Sequence, residues 1–252
     1  MSKQYKKSKV IEKLTKYFQD NNCKNLYKDG CINYVGITSD TKEDYTKVIV
    51  DYLVEHIAEF EKQLSKVVVT RKTSYKTASH IGKSDFDFNK RPRGERREEK
   101  IAHAMYCQYK EVPAEFGKIL DYQIPLKNTK QDEGLGKIDL LSVKDGAKAG
   151  LKILHFLELK RDCSKETLLR CILEAYTYSK IINKDKLCDD FDIPLSKKEF
   201  REFVIAPLVY KDGGFESQLE FVNPLIEALD CSVEIFVWDY KDGKYVIEKM
   251  KQ

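Results

Sequence analysis

Apolar residues recur with helical spacing from Tyr5 to Phe18, at Val10, Ile11, Leu14, Tyr17 and Phe18, and the polar run Asp20 to Asn22 ends the pattern, which predicts an opening amphipathic helix. The same periodicity returns between Asp44 and Val67, at Val48, Ile49, Tyr52, Leu53, His56, Ile57 and Phe60, and predicts a second, longer helix. From Thr70 to Gly94 the chain is rich in Lys, Arg, Ser and Asp, carries Gly82, Pro92 and Gly94, and reads as a loop or linker. A helix is then expected from Glu95 to about Tyr109. Strand-like runs follow at Lys118 to Leu126, Gly136 to Val143 and Lys152 to Lys160, and then a helix from Ser164 to Ile182. The C-terminal third predicts a strand at Phe203 to Tyr210, a helix at Phe215 to Leu229, a strand at Ser232 to Tyr240 and a closing strand at Tyr245 to Lys249.

Consecutive strands followed by alternating helices and strands imply an α/β fold, a mixed central sheet with helices on its faces and a helical extension at the N-terminus. The shift in composition divides the chain into an N-terminal helical region and linker, 1–90, and a core, 91–252. The 252 residues suffice to bury a substantial core.

Composition narrows the picture further. Hydrophobic residues make up 42% and charged residues 34%, and no apolar run approaches the roughly 20 residues needed to cross a bilayer, so no membrane span is expected. The start is polar and lysine-rich with no apolar stretch behind it, and a cytoplasmic location is expected. Seven scattered cysteines without a CxxC pair read as reduced thiols, not as a zinc site, iron–sulfur cluster or disulfide framework. Histidines 56, 80, 103 and 155 lack metal-ligand spacing, and His155 is expected on the face opposite Lys160. No GxxxxGK[ST] loop and no GxSxG elbow occurs, which leaves P-loop NTPases and α/β hydrolases without support. The net charge of +4 permits nucleic-acid binding without demanding it.

The chemistry concentrates in two strand-like segments, Gly136-Lys137-Ile138-Asp139-Leu140-Leu141 and Ile153-Leu154-His155-Phe156-Leu157-Glu158-Leu159-Lys160. Alternation along a strand puts Glu158 and Lys160 on one face and Leu159 on the other. If the strands pair as a hairpin through the Lys144 to Gly150 turn, Asp139 meets Glu158. Two close carboxylates suit a hard cation such as Mg2+, with Mn2+ as a substitute. Such a cation can activate water and stabilise charge on a phosphodiester, while a lysine orients the water or the phosphate. An ExK triplet alone is a weak signal, because surface strands often alternate charged and apolar residues. The surrounding order of elements is what gives it weight.

These residues resemble the PD-(D/E)XK nuclease superfamily, whose signature is an acid on one core strand and an acid-x-lysine triplet on the next. The resemblance covers roughly Glu95 to Tyr240 and includes the order of a helix, a three-strand meander, a crossing helix and a further strand. It departs in having Ile138 where the superfamily's name has proline. It implies a restriction-endonuclease-like fold and a Mg2+-dependent nuclease with DNA as the expected substrate, with Asp139 and Glu158 as metal ligands and Lys160 as the residue that positions water. Glu98 is then the acid expected on the first core helix, with Glu95 and Glu99 as neighbours that could replace it. Glu174 and Tyr178 match the spacing of a polar residue and a tyrosine in the RecB-like subgroup, with glutamate in place of the usual glutamine. Arg161 and Lys165 are the better-placed cations for substrate, ahead of the basic stretch Lys90, Arg91, Arg93, Arg96 and Arg97. The competing readings are a nuclease fold without turnover that serves as a nucleic-acid-binding or assembly module, and a surface ion cluster with no metal affinity. The N-terminal region is left as the surface for a second copy of the chain or a protein partner.

Overall fold

The computed structural model describes residues 4–80, 94, 97–128, 135–193 and 201–251. Its centre is a six-stranded mixed sheet in the order β1-β2-β3-β4-β5-β6, formed by Lys118–Pro125, Lys137–Asp145, Lys152–Lys160, Arg201–Tyr210, Phe236–Lys241 and Lys244–Lys249. Strands β1 to β3 form an antiparallel meander, β3, β4 and β5 run parallel, and β6 returns antiparallel on β5. Strand β3 is therefore paired on both edges and covered on both faces, and every residue from Leu154 to Lys160 is buried. A doubly covered strand reads as a near-continuous apolar run, which makes the two charged residues at its end costly and conspicuous.

Helix α1 is Lys7–Gln19, α2 Tyr45–Glu55, α3 Ile57–Ser65, α4 Arg97–Tyr109, α5 Leu168–Ile181, α6 Lys184–Asp190 and α7 Leu219–Ala228. On one face of the sheet α4 contributes Ile101, Ala104 and Met105 to a cluster with Leu140, Leu157, Leu159 and Trp238. On the other face α5 lies over β3 and β4. There Leu141, Leu154 and Phe156 share a buried cluster with α5, α7 and the N-terminal residues Val10, Leu14, Leu26 and Leu53. The N-terminal helices thus pack on α5 and α7 without a solvent-filled gap between two cores.

Several elements differ from the sequence pattern. The apolar stripe from Asp44 to Val67 is two helices, because His56 leaves the helical region at ψ 18° and stacks its ring on Tyr52 at 4.1 Å. The helix expected from Ser164 starts at Leu168, where the Thr167 side chain accepts the Arg170 N–H as an N-cap and Cys163, at φ 58°, turns the chain beforehand. The strand expected from Ser232 begins at Phe236, and Val233 makes only an isolated bridge to Ile205. Helix α6 was not foreseen, although its N-cap Asn183, which accepts the Lys186 N–H, is a recognisable start signal. In the stretch read as a linker, residues 70–80 are irregular with a short 3-10 turn at Ala78–His80, and 81–93 lie outside the described residues. All seven cysteines are free thiols, and Cys23, Cys31, Cys171 and Cys188 are buried. Among the described residues no helix is long and apolar enough to cross a membrane.

Candidate active site

The β2–β3 ladder pairs Leu140 with Leu157, so its continuation sets Asp139 opposite Glu158. Leu157 and Leu159 join the cluster under α4, which turns Glu158 and Lys160 to the α5 face. The sequence segments therefore meet as the hairpin requires. His155 is fully buried on the other face, with Nε2 3.2 Å from Glu234 Oε2.

Each oxygen of Asp139 has a donor. Oδ2 accepts from the Leu159 N–H at 2.9 Å and Oδ1 from the Gln123 amide at 2.6 Å. Gln123 reaches it from β1, where a bulge shifts the register between Ile119 and Asp121 and Gln123 itself adopts φ 50°, a strained conformation for a residue with a side chain. Burial, helped by the charges of Glu98 and Glu174, pushes the Asp139 carboxyl up to about 7 against the opposing pull of Lys160 and the Leu159 N–H. Burial and the negative charges of Asp139 and Glu174 likewise hold Glu158 well above the usual carboxylate range.

The Lys160 ammonium is only 4% exposed and lies 2.7 Å from Glu158 Oε1, 2.7 Å from Glu166 Oε2 and 3.4 Å from Glu174 Oε2. Burial works against its charge, but Glu158, Glu174 and Glu166 together keep the amine protonated far above neutral pH. Arg170 adds a second cation, with Nε 2.9 Å from Glu166 and 3.9 Å from Glu174. The site carries more carboxylates than cations, a surplus that a bound metal would neutralise.

Of the other candidates, Glu98 stands at the start of α4 and accepts the Arg161 N–H at 3.3 Å, at the end of β3. Glu174 faces Lys160 from α5, and the Tyr178 hydroxyl donates to Glu174 Oε1 at 2.8 Å. Tyr178 is buried, and an ideal Cβ on Gly136 would fall 2.0 Å from its hydroxyl oxygen, so the glycine opening β2 makes room for that ring. Arg161 is half-buried. Lys165 is exposed and makes no ion pair among the described residues. Arg97 pairs with Asp162 at 2.5 Å, while Lys90, Arg91, Arg93, Glu95 and Arg96 lie outside the described residues.

Sequence reasoning missed Glu166, Arg170, Gln123 and Tyr27. Glu166, Arg170, Glu174 and Tyr178 recur every four residues, a stripe that helical periodicity could have exposed. Gln123 carried no such signal, since its role depends on the β1 bulge. Tyr27 comes from the N-terminal 3-10 helix Cys23–Lys28, and its hydroxyl lies 3.0 Å from that of Tyr178. Behind the site, Trp238 Nε1 donates to the Lys160 carbonyl at 3.0 Å and the Cys171 thiol to the Glu158 carbonyl at 3.3 Å.

Among the described residues no group of three or more His, Cys, Asp and Glu side chains forms a ready metal cluster. A Mg2+ ion keeps several waters and often takes only one or two protein carboxylates, and Asp139 and Glu158 are the residues that would hold one here. Compared with family models, curated proteins and solved structures, the chain gives no match in any of the three.

Proposed function

We propose that this protein is a metal-dependent nuclease that hydrolyses phosphodiester bonds, with DNA as its substrate. The observation that carries the reading is the placement of Asp139 opposite Glu158, with Lys160 against Glu158 on the same buried face. The order α4, β1 to β3, α5 and β4 agrees with what the resemblance to PD-(D/E)XK nucleases implies and supports a restriction-endonuclease-like core.

In this reading Asp139 and Glu158 would hold Mg2+ or Mn2+, which supplies Lewis acidity at the phosphate and a lowered pKa for water. The Leu159 N–H and the Gln123 amide fix the Asp139 carboxylate in orientation. Lys160, kept protonated by Glu158, Glu166 and Glu174, orients the attacking water or a phosphate oxygen. Glu98 acts from the start of α4 through its contact with the β3 terminus.

A second reading, a nuclease fold that binds nucleic acid without turnover, draws on the Lys160 amine, which three carboxylates already occupy. Cleavage of single-stranded DNA, duplex DNA and RNA in Mg2+ or Mn2+ separates the two. The nuclease reading expects cutting by the wild type that is lost in Asp139→Ala and Lys160→Ala. A folded wild type that binds these substrates and cuts none of them leaves the binding module.

A further inference from the structure

Chemistry-bearing side chains also gather at the far end of the sheet from Lys160. Arg201, which opens β4, is paired in register with Lys152, which opens β3, so a whole strand, on the order of 26 Å, separates it from Lys160. Two cavities of about 380 and 410 Å³ lie there, and Lys184, Arg201 and Phe203 line both. Alternation along β4 puts Arg201 and Phe203 on one face of the strand. Lys184, at the junction of α5 and α6, carries its ammonium 4.7 Å over the Phe203 ring. The ring is therefore flanked by an ammonium above it and a guanidinium two positions along its own strand.

The carboxylates around the cavities are engaged with other donors. Asp230 takes Lys180 and the Tyr176 hydroxyl, and Glu202 accepts the Ser232 hydroxyl at 2.8 Å. Asp185, with its side chain 60% exposed, meets Arg201 Nη1 at 3.1 Å. Lys184 makes no ion pair among the described residues. The Arg201 side chain is 5% exposed, and its Nε is buried without a hydrogen-bond partner. A guanidinium held by one solvent-screened carboxylate and the Cys188 thiol leaves part of its donor fork unused. Burial, with the Lys180 ammonium nearby, lowers the Lys184 pKa against the pull of Cys231 and Asp230. An anion seated beside such a cation removes much of the cost of keeping it charged.

We propose that Lys184 and Arg201 bind the phosphate group of a phosphate monoester of mononucleotide size, with its organic part against Val68 and Ile182. The ammonium offers three N–H groups and the guanidinium its Nε–H, a donor set that suits the several oxygens of a phosphate. A phosphate monoester carries close to two negative charges at neutral pH, whereas a carboxylate would leave one of the two cations unmatched. Val68 is 66% exposed and, with Ile182, gives the cavity an apolar wall. Either cavity falls within the size range of small-molecule sites. The site makes no use of Asp139, Glu158 or Lys160, so it stands whether or not the protein cleaves DNA.

The test is isothermal titration calorimetry of the full chain in EDTA at constant ionic strength, with deoxyadenosine 5′-monophosphate and with inorganic phosphate. The nucleotide should bind at one site with a Kd below about 1 mM, and inorganic phosphate, which lacks the part facing Val68, more weakly. Lys184→Gln should raise the nucleotide Kd about ten-fold or more, and Lys184→Arg should restore most of the loss, which a change in packing would not allow. Val68→Asp alters an exposed side chain and should weaken binding by repulsion while thermal melts show the fold intact. Inorganic phosphate bound as tightly as the nucleotide overturns the monoester in favour of the free ion. No saturable heat with either ligand, or an affinity unchanged in Lys184→Gln and Val68→Asp alike, overturns the site.

Discussion

Asp139 Oδ2 accepts a 2.9 Å hydrogen bond from the backbone N–H of Leu159, the residue that separates Glu158 from Lys160. An acid on one strand is thereby tied to the middle of the triplet on the next. The contact sets the carboxylate beside Glu158 instead of letting it turn to solvent, at the expense of an anion held where water solvates it poorly.

That expense should be visible in the pH dependence of stability. Burial raises the Asp139 carboxyl from 3.8 to about 7, so the folded state favours its neutral form. The contribution of this group is full below the unfolded pKa and is lost as pH rises through about 7. Metal-free wild type should therefore melt at a lower temperature at about pH 8 than at about pH 5, and Asp139→Asn should lack much of that difference. Thermal melts in EDTA across this range check it, and equal slopes in the two proteins would remove burial of Asp139 as the cause.

Lys160→Met should destabilise the metal-free protein at neutral pH. The methionine fills the space but leaves Glu158, Glu166 and Glu174 facing one another without their shared ammonium. Breaking a buried ion cluster from one side costs about 3–5 kcal/mol. Urea denaturation at neutral and acid pH measures it, and the loss should shrink under acid conditions, where the carboxylates take up protons.

Gly136 and Tyr178 should behave as a coupled pair. Gly136→Ala puts a methyl group where the Tyr178 hydroxyl lies and should cost about 1–3 kcal/mol by overpacking. In a Tyr178→Phe background the alanine should cost less, because the closest clashing atom is gone. A double-mutant cycle by chemical denaturation reads the difference, and strictly additive effects would mean that the ring moves aside freely.

Trp238 is the only tryptophan in the chain, and its indole N–H donates to the Lys160 carbonyl. Its emission should therefore report on the site. Titration with Mg2+ or Mn2+ should change Trp238 fluorescence saturably in the wild type, and Asp139→Ala should lose the response. A signal that persists unchanged in that variant would place any bound metal elsewhere.

The parts of this structure legible in the sequence are those that depend on local periodicity. Alternation within Leu157-Glu158-Leu159-Lys160 set the faces of β3, and the hairpin through Lys144 to Gly150 brought Asp139 to Glu158. The break at His56 escaped because its apolar neighbours keep helical spacing on both sides, and only the stacking of its ring on Tyr52 reveals the turn. Gln123 and Tyr27 were invisible for a different reason. One reaches Asp139 through a bulge and a positive φ, the other meets Tyr178 from a distant segment, and neither relation leaves a periodic trace.

The Tyr27 and Tyr178 hydroxyls are separated by 151 positions along the chain. A ribosome delivers the first of them early and the second only after the meander of β1 to β3 has emerged, so this wall of the site has to wait for α5. Strand β3 waits longer, because its second edge is paired only when β4 follows. The growing chain can therefore set Asp139 beside Glu158 and Lys160 in its β2–β3 hairpin before α5 brings Glu174 and the tyrosine pair to them. Closing the centre therefore needs a contact between residues far apart in the chain, the kind that costs most loop entropy to form, and destabilising either end of the Tyr27–Tyr178 pair should slow that closure.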